Sequence, residues 1–249
     1  MAEPIRMFGL GGLDEIQPQD DLGALVAAAA RAAGVKVGAG DLFVVAQKVV
    51  SKAEGRIVPL ETVTPSPMAC RWAEQWGKDA RAVEVALWES RRIVRMDRGI
   101  LITETRHGFV CANAGVDSSN APPGCVTLLP VDCDRSAAAL RERLESEFRT
   151  TLGVIISDSF GRPWREGLVN VALGVAGVQA LADCRGQKDS FGRSLQVTVI
   201  AVADELAAAA ELVMGKTRRV PVVVIQGFAL GGAGTGRELV RAAEADLFR

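Results

Sequence analysis

Two segments of the chain carry carboxylates beside amides or hydroxyls. "CANAGVDSSN" (residues 111–120) holds Asp117 with two asparagines, and "ISDSFGRPWREG" holds Asp158 followed by Ser159. Carboxylate and hydroxyl oxygens are hard donors that suit Mg²⁺ or Mn²⁺. If the two aspartates converge, the pair could bind a divalent ion that carries nucleotide phosphates. The alternative for each segment is an ordinary turn or strand cap, because Asn, Asp, Gly and Ser are common in turns.

Basic residues stand near these segments, as a phosphate site requires. "SKAEGR" contains Lys52 and Arg56 directly after a β-prone run, and Arg162 and Arg165 follow Asp158. Cations stabilise the charge that spreads over a transferred phosphoryl group. Taken alone, each of these basic residues is better explained as a solvated surface side chain than as a phosphate ligand. Two clusters, each next to an apolar strand, favour the phosphate interpretation.

Other motifs give weaker signals. "GKT" at residues 215–217 matches the end of a Walker A loop, but Ala210 stands where the first glycine is required and the preceding residues predict a helix. We reject a P-loop, while Gly215 and Lys216 remain candidates for the nucleotide site. His107 is the only histidine, and without a GxSxG elbow it predicts a hairpin turn rather than a catalytic triad.

The elements that must position these residues predict a mixed sheet. Helices are expected from about Asp21 to Gly34, over residues 66–94 with a break near Gly77, over "DRSAAALRERLESEF", and over most of "VTVIAVADELAAAAELVMG". Strands are expected in "DLFVVAQKVV", "TLGVIISDS" and "VPVVVIQGF", with a hairpin joining "GILITET" to "GFVCAN". Hairpins mixed with strand–helix units predict an α/β or α+β fold with flanking helices. Asp158 and Ser159 are expected at the end of a buried strand, at a sheet edge where ligands bind.

Composition narrows the class of protein. The 249 residues carry a formal net charge of −1, which gives no electrostatic footprint for nucleic acid or an anionic membrane. "MAEPIRMFGL" does not resemble a signal peptide, and no apolar run approaches the roughly 20 residues that span a bilayer. Five scattered cysteines without a CxxC pair predict reduced thiols in a cytoplasmic protein. We expect a single domain over residues 1–249, with sub-domain boundaries near 60–100 and 185–195.

Several segments, taken in order, resemble the coenzyme F420-0:L-glutamate ligase family. They are "VVSKAEGR", "CANAGVDSSN", "ISDSFGRPWREGLVNVALGVAG", "GQKDSFGR" and "VADELAAAAELVMGK", and the likeness runs from about Met7 to Phe228. The resemblance implies GTP-dependent addition of L-glutamate to the carboxylate of coenzyme F420-0, and then of further γ-linked glutamates. It also implies a family-specific mixed α/β fold and an intertwined homodimer. The expected form lacks the C-terminal flavin-binding reductase domain of some members.

The resemblance also assigns site residues. It implies that Asp117 and Asp158 bind one divalent ion, Mg²⁺ or Mn²⁺, that Ser159 binds a second, and that a monovalent cation can join them. Gln47 stands where relatives have a serine, and Lys216 where an archaeal-type member has a glutamate metal ligand. We assign catalytic roles to Lys52, Arg56 and Arg162. The expected nucleotide contacts are Leu13, Asp14, Glu15, Ile16, Gln47, Lys52, Asn120, Gly215 and Lys216.

The expected chemistry is activation of a carboxylate. Hydroxide is a poor leaving group, so transfer of the γ-phosphate to give an acyl phosphate precedes attack by the glutamate amine. No covalent enzyme intermediate is expected, and no cysteine is assigned a chemical role. Two alternatives stay open: a metal-dependent nucleotide phosphohydrolase and a non-catalytic GTP-binding regulator. The apolar stretches "VNVALGVAGVQAL" and "VPVVVIQGFAL" offer modest support of their own for the dimer.

Overall fold

A computed structural model describes residues 4–246. Residues 1–3 and 247–249, the ends of the expected domain, lie outside the described residues. Residues 1–3 also begin the segment "MAEPIRMFGL", which we compared with signal peptides. The helices are α1 (Leu22–Ala32), α2 (Gln47–Ala53), α3 (Pro67–Trp76), α4 (Ala80–Trp88), α5 (Cys133–Phe148) and α6 (Val202–Met214). The strands are β1 (Arg6–Leu10), β2 (Leu42–Ala46), β3 (Ile57–Pro59), β4 (Ser90–Asp97), β5 (Ile100–Thr105), β6 (Val110–Ala112), β7 (Cys125–Thr127), β8 (Gly153–Arg162), β9 (Arg165–Ala176), β10 (Ala182–Asp183), β11 (Val199–Ile200) and β12 (Val222–Gln226).

The main sheet has five strands in the order β1-β12-β2-β8-β9. β2 and β8 run parallel, and the other neighbours are antiparallel. Helices α1 and α5 pack on one face, and α6 packs on the other. Because both faces are covered, β2 and β12 are nearly continuous apolar runs. The predicted mixed sheet with flanking helices is confirmed.

Residues 57–128 form a smaller part with its own apolar cluster. β3 pairs with β7, β4, β5 and β6 form a three-stranded sheet, and α3 and α4 lie between these elements in the sequence. Leu60, Val85, Leu101, Val116 and Val126 belong to the buried cluster. The boundaries expected near 60–100 and 185–195 stay predictions.

Local signals placed several helix ends correctly. The Asp21 carboxylate accepts a hydrogen bond from Ala24 N at 2.9 Å and caps α1, and Gly34 after the helix has a left-handed φ of 70°. Gly77 ends α3 in the same left-handed conformation. The hairpin of β5 and β6 turns around His107, as predicted. Among residues 4–246, no helix is long and apolar enough to cross a membrane.

Some predicted elements were wrong. Lys52 does not lie on a strand exit, because β2 ends at Ala46 and the chain turns directly into α2. The predicted helix over residues 66–94 extends too far, since β4 begins at Ser90. Asp158 and Ser159 do not end the strand: β8 continues through both of them to Arg162, paired with β9. The edge strands β1 and β9 were not predicted.

The hairpin of β8 and β9 contains a bulge beside the sheet centre. Ile156 pairs with Gly174 and Ser157 pairs with Ala172, so Leu173 is an extra residue on β9. A Cβ built on Gly174 would lie 2.0 Å from the carbonyl oxygen of Cys133. Only glycine therefore fits where the first turn of α5 crosses the bulge.

Candidate functional site

A cavity of about 1120 Å³ lies where the parallel strands β2 and β8 separate. β2 pairs with β8 as far as Ala46 and Ser157, and β2 then turns into α2 while β8 continues. Ligands bind at such carboxyl ends of parallel strands in α/β proteins. The cavity is lined by many of the residues that the sequence assigned to the site: Leu13, Asp14, Glu15, Ile16, Gln47, Lys52, Asn120, Asp158, Ser159, Gly215 and Lys216.

Asp117 meets this cavity through a residue that the sequence analysis missed. The Lys48 ammonium donates to Asp117 Oδ2 at 2.6 Å and also contacts the Ser119 hydroxyl. Backbone hydrogen bonds between Asp117 and Thr127 tie this loop to β7. Lys48 is the second residue of α2 and lines the cavity. The signal in the sequence was its position, one helical turn before Lys52.

The loop that carries Asp117 has an unusual backbone. Asn113, Ala114 and Gly115 have positive φ values of 52°, 53° and 74°, and Asn120 has a φ of 56°. Left-handed conformations are uncommon for alanine and easier for asparagine and glycine. Ala114 is buried, so surrounding packing holds the strained turn in place. This buried turn, with the backbone hydrogen bonds to Thr127, holds Asp117 in place.

Asp117 and Asp158 lie near enough for their charges to interact, which a shared ion site would require. Burial is the main cause that raises the pKa of Asp158, to about 6, and the nearby charge of Asp117 adds to the rise. The opposing effects come from the Ser159 backbone N–H, Lys48 and Lys216. Burial also acts to raise the pKa of Asp117, but hydrogen bonds from Lys48 and Ser119 outweigh it, so this pKa lies below its ordinary value. Lys48 therefore acts on both carboxylates.

Ser159 lies in a second polar network. Successive strand residues point to opposite faces, so Ser159 faces away from Asp158 and towards α6. Its hydroxyl donates to Asn170 Oδ1 at 2.7 Å and accepts from the Lys216 ammonium at 2.7 Å. The Asn170 amide donates to Glu211 Oε2 at 3.0 Å. Asn170 and Glu211 were missed, although each is a polar residue inside an apolar run.

The side chains of α2 form another wall. Lys52 is 5 % exposed, and its ammonium pairs with the Glu15 carboxylate across the cavity. The Gln47 amide donates to Ser51 Oγ at 2.6 Å and to the Leu128 carbonyl at 2.9 Å. Its amide nitrogen therefore fastens α2 to the loop after β7, while the residue still lines the cavity.

Arg56 and Arg162 lie elsewhere. Arg56 follows the end of α2, and its guanidinium donates to the Leu129 carbonyl and to Glu89. Because β8 remains extended, Arg162 is carried about 13 Å along the strand from Asp158, and it donates to the Glu166 carbonyl at the hairpin end. In the part of the chain that the structure describes, the cavity lining includes neither arginine, nor Arg165. Their catalytic roles have no geometric support within one chain.

Comparison with known proteins settles the family. The sequence model described as F420-0:Gamma-glutamyl ligase matches residues 12–227, a range that contains every residue lining the large cavity. The chain belongs to this family. Among its relatives, the coenzyme F420:L-glutamate ligase of Methanothermobacter thermautotrophicus is 46% identical over 249 residues, which cover 98% of this chain and 99% of the relative.

Other F420-0:gamma-glutamyl ligase relatives agree. The coenzyme F420:L-glutamate ligase of Methanopyrus kandleri is 47% identical over 94% of each chain. That of Archaeoglobus fulgidus is 41% identical over 98% of this chain and 96% of the relative. Since these relatives align along nearly their whole length, the chain is a ligase, and the resemblance seen in the sequence is confirmed.

Cys111 is buried close enough to Asp158 to be affected by its charge. Burial, followed by the nearby charge of Asp158, raises the pKa of the Cys111 thiol to about 12. A thiol with so high a pKa carries almost no thiolate at neutral pH, and thiolate is the nucleophilic form. This fits the expectation that no cysteine has a chemical role.

The raised pKa of Asp158 predicts that the metal-free protein loses stability as the pH rises through about 6. The pKa is about 6 in the fold and about 3.9 in an unfolded chain, so the folded protein binds this proton more tightly. The contribution of Asp158 to the free energy of unfolding is full below about pH 4 and lost above about pH 6, a change on the order of 3 kcal/mol. Chemical denaturation of the chelator-treated wild type and of Asp158→Asn, in parallel across this pH range, measures the change in the free energy of unfolding. The variant should lack this component, and identical pH profiles would contradict the assignment.

Proposed function

We propose that this protein is a GTP-dependent ligase that joins L-glutamate to the carboxylate of coenzyme F420-0 through an acyl phosphate, and then adds further γ-linked glutamates. The observation that carries the proposal is the large cavity, which brings the expected nucleotide residues together with Asp158 and Ser159. The names of the relatives supply the substrates, because they are coenzyme F420:L-glutamate ligases.

The oxygen donors fit a hard divalent ion. Among residues 4–246, no group of three or more His, Cys, Asp or Glu side chains is placed to hold a metal. Mg²⁺ is commonly held by one or two carboxylates together with water and substrate phosphates, so a two-aspartate site does not need a third protein carboxylate. Asp117 and Asp158 would hold one ion and Ser159 would contribute to a second. When bound, these ions would neutralise charge on the GTP phosphates.

The proposed reaction has two displacements. An oxygen of the F420-0 carboxylate attacks the γ-phosphorus of GTP, the bond from phosphorus to the bridging oxygen breaks, and GDP leaves with the electron pair. The glutamate amine then attacks the carbonyl carbon of the acyl phosphate. Inorganic phosphate leaves, and the new amide nitrogen loses a proton.

The cations of the cavity have separate positions for this chemistry. Lys52 and Lys48 project from one face of α2, since they are one helical turn apart. Lys216 approaches from the end of α6, on the Ser159 side of β8. Ammonium groups fixed before the reaction stabilise the charge that develops on phosphate oxygens. In this arrangement the lysines take the part that the sequence analysis gave to Arg56 and Arg162.

One incubation tests the function. Protein, GTP, Mn²⁺, L-glutamate and F420-0 are combined, and mass spectrometry follows glutamyl addition to F420-0 together with GDP formation. The expected result is a glutamylated product that requires all components, with ATP in place of GTP giving less product. GTP loss without acceptor would instead indicate a phosphohydrolase, and GTP binding without turnover would indicate a regulator.

We also propose a homodimer, on different grounds from those in the sequence. The stretches "VNVALGVAGVQAL" and "VPVVVIQGFAL" do not supply an uncovered surface, because Ala172–Ala176 and Val222–Ile225 are largely buried within the chain. That earlier support was wrong. Among the exposed apolar side chains, two lie together at the β8–β9 hairpin end, where Trp164 is 79 % and Leu168 63 % exposed. Such a surface is commonly covered by a partner.

The dimer proposal predicts a mass change on substitution at the hairpin end. Light scattering should give twice the chain mass of 26.3 kDa for the wild type. Trp164→Glu combined with Leu168→Glu should shift the protein to the monomer, because it places charges in an apolar interface. Val131→Glu, at another exposed apolar residue, serves as the control and should stay dimeric. A stable wild-type monomer with full activity would refute the dimer.

A further inference from the structure

Lys48 donates to a carboxylate oxygen that the proposed metal site would use. Its ammonium lies 2.6 Å from Asp117 Oδ2, its side chain is 16 % exposed, and its charge also reaches Asp158. Two carboxylates that face each other in a partly buried site repel, and a cation between them removes this cost. A metal that binds Asp117 through Oδ2 would compete with the ammonium for that oxygen and for the space beside it, because the two cations repel each other.

We propose that Lys48 is a placeholder cation, a side chain that holds the Asp117–Asp158 pair in position before the metal arrives and that the metal must displace. The inference rests on the proposed metal site and concerns the residue that competes for it. Lysine suits the role because its ammonium is a compact charge on a flexible four-carbon chain. Lys48 also lines the cavity, so the displaced ammonium has space to move into it.

The surroundings distinguish this role from a surface ion pair. Ser119 holds the same ammonium, and the Ser119 backbone N–H donates to Asp117 Oδ1 at 2.7 Å. Both carboxylate oxygens of Asp117 are therefore satisfied by protein groups in this state. Lys52 offers a matched comparison, because it lies on the same helix, lines the same cavity and pairs with Glu15 instead.

The test is metal affinity without nucleotide. Chelator-treated wild type, Lys48→Met and Lys52→Met are titrated with Mn²⁺, and free Mn²⁺ is read by electron paramagnetic resonance. Loss of the competing ammonium should tighten Mn²⁺ binding about tenfold or more in Lys48→Met, and binding by Lys52→Met should change less than about threefold. Equal tightening in both variants would mean a general charge effect and would overturn the proposal, as would unchanged or weaker binding in Lys48→Met.

Two further measurements keep the outcome interpretable. Metal-free Lys48→Met should unfold at a lower temperature than wild type, and Mn²⁺ should reverse the loss; a variant that stays unfolded in saturating Mn²⁺ overturns the proposal.

Asp117→Asn and Asp158→Asn test the metal site itself. If both bind Mn²⁺ like wild type, the proposed metal site fails and this inference fails with it. If both lose Mn²⁺ while Lys48→Met is no tighter, the placeholder role alone fails.

Discussion

Asp158→Asn should abolish ligation, with a loss on the order of 10³-fold or more in kcat. The amide keeps the shape of the carboxylate but loses the charge that holds a hard cation. The fold should survive, because the change removes a carboxylate whose pKa burial raises to about 6. Glutamyl addition to F420-0, followed by mass spectrometry over a range of Mn²⁺ concentrations, gives the measurement. Asp117→Asn should behave in the same way.

Asp204→Asn is the matched control for this experiment. Asp204 also has a pKa raised by burial, and its carboxylate accepts a hydrogen bond from Ala172 N on β9, but it lines a separate small cavity. An asparagine oxygen can accept the same bond, so activity should stay within about threefold of wild type. Near-normal ligation by both Asp117→Asn and Asp158→Asn at limiting metal would remove the metal assignment.

Lys52→Ala should lower kcat/KM by about 10²-fold or more, with weaker nucleotide binding. The ammonium is nearly buried in the cavity wall, where a charge on phosphate is stabilised more than in water. Isothermal titration with GTP and steady-state GDP release separate the binding loss from the rate loss.

Glu15→Gln supplies the control for Lys52. It removes the charge that Lys52 pairs with and leaves the ammonium in place. Glu15 is itself an expected nucleotide contact, so if Lys52 contacts phosphate this variant should lose clearly less activity than Lys52→Ala. Equal losses in Glu15→Gln and Lys52→Ala would show that the ion pair between the cavity walls matters, rather than a contact with nucleotide.

The sequence predicted the residues of the site better than their arrangement. Asp158, Lys52 and the segment 13–16 line one cavity, and Asp117 is joined to it through Lys48. Turn chemistry and apolar runs marked the two aspartate segments, whereas the family resemblance supplied the segment 13–16. Arg56 and Arg162 were assigned by nearness in sequence, which does not say whether a strand stops or continues. Lys48 was overlooked because "QKVVSK" reads as the end of a β-prone run, whereas packing makes it a helix.

A repeated pentapeptide shows why local sequence was insufficient. "DSFGR" occurs at residues 158–162 and again at 189–193. The first copy is part of β8, with a full strand partner in β9. In the second copy, Asp189 Oδ1 accepts from the backbone N–H groups of Phe191 and Arg193 and closes a tight turn. Tertiary pairing therefore decides the conformation of the same five residues.

The extra residue Leu173 sets a limit on how this hairpin can change over evolution. On one side of it, Ala172 faces α6, and on the other side Val175 faces α6 as well, although alternation alone would place them on opposite faces. Deleting one residue at the bulge would restore plain alternation. The side chains of residues 170–172 would then point to the opposite face of the sheet. Asn170 would then leave Ser159 and Glu211. Apolar substitutions along β9 should therefore be tolerated far more readily than any change in its length, and homologues should vary in residue type here but rarely in spacing.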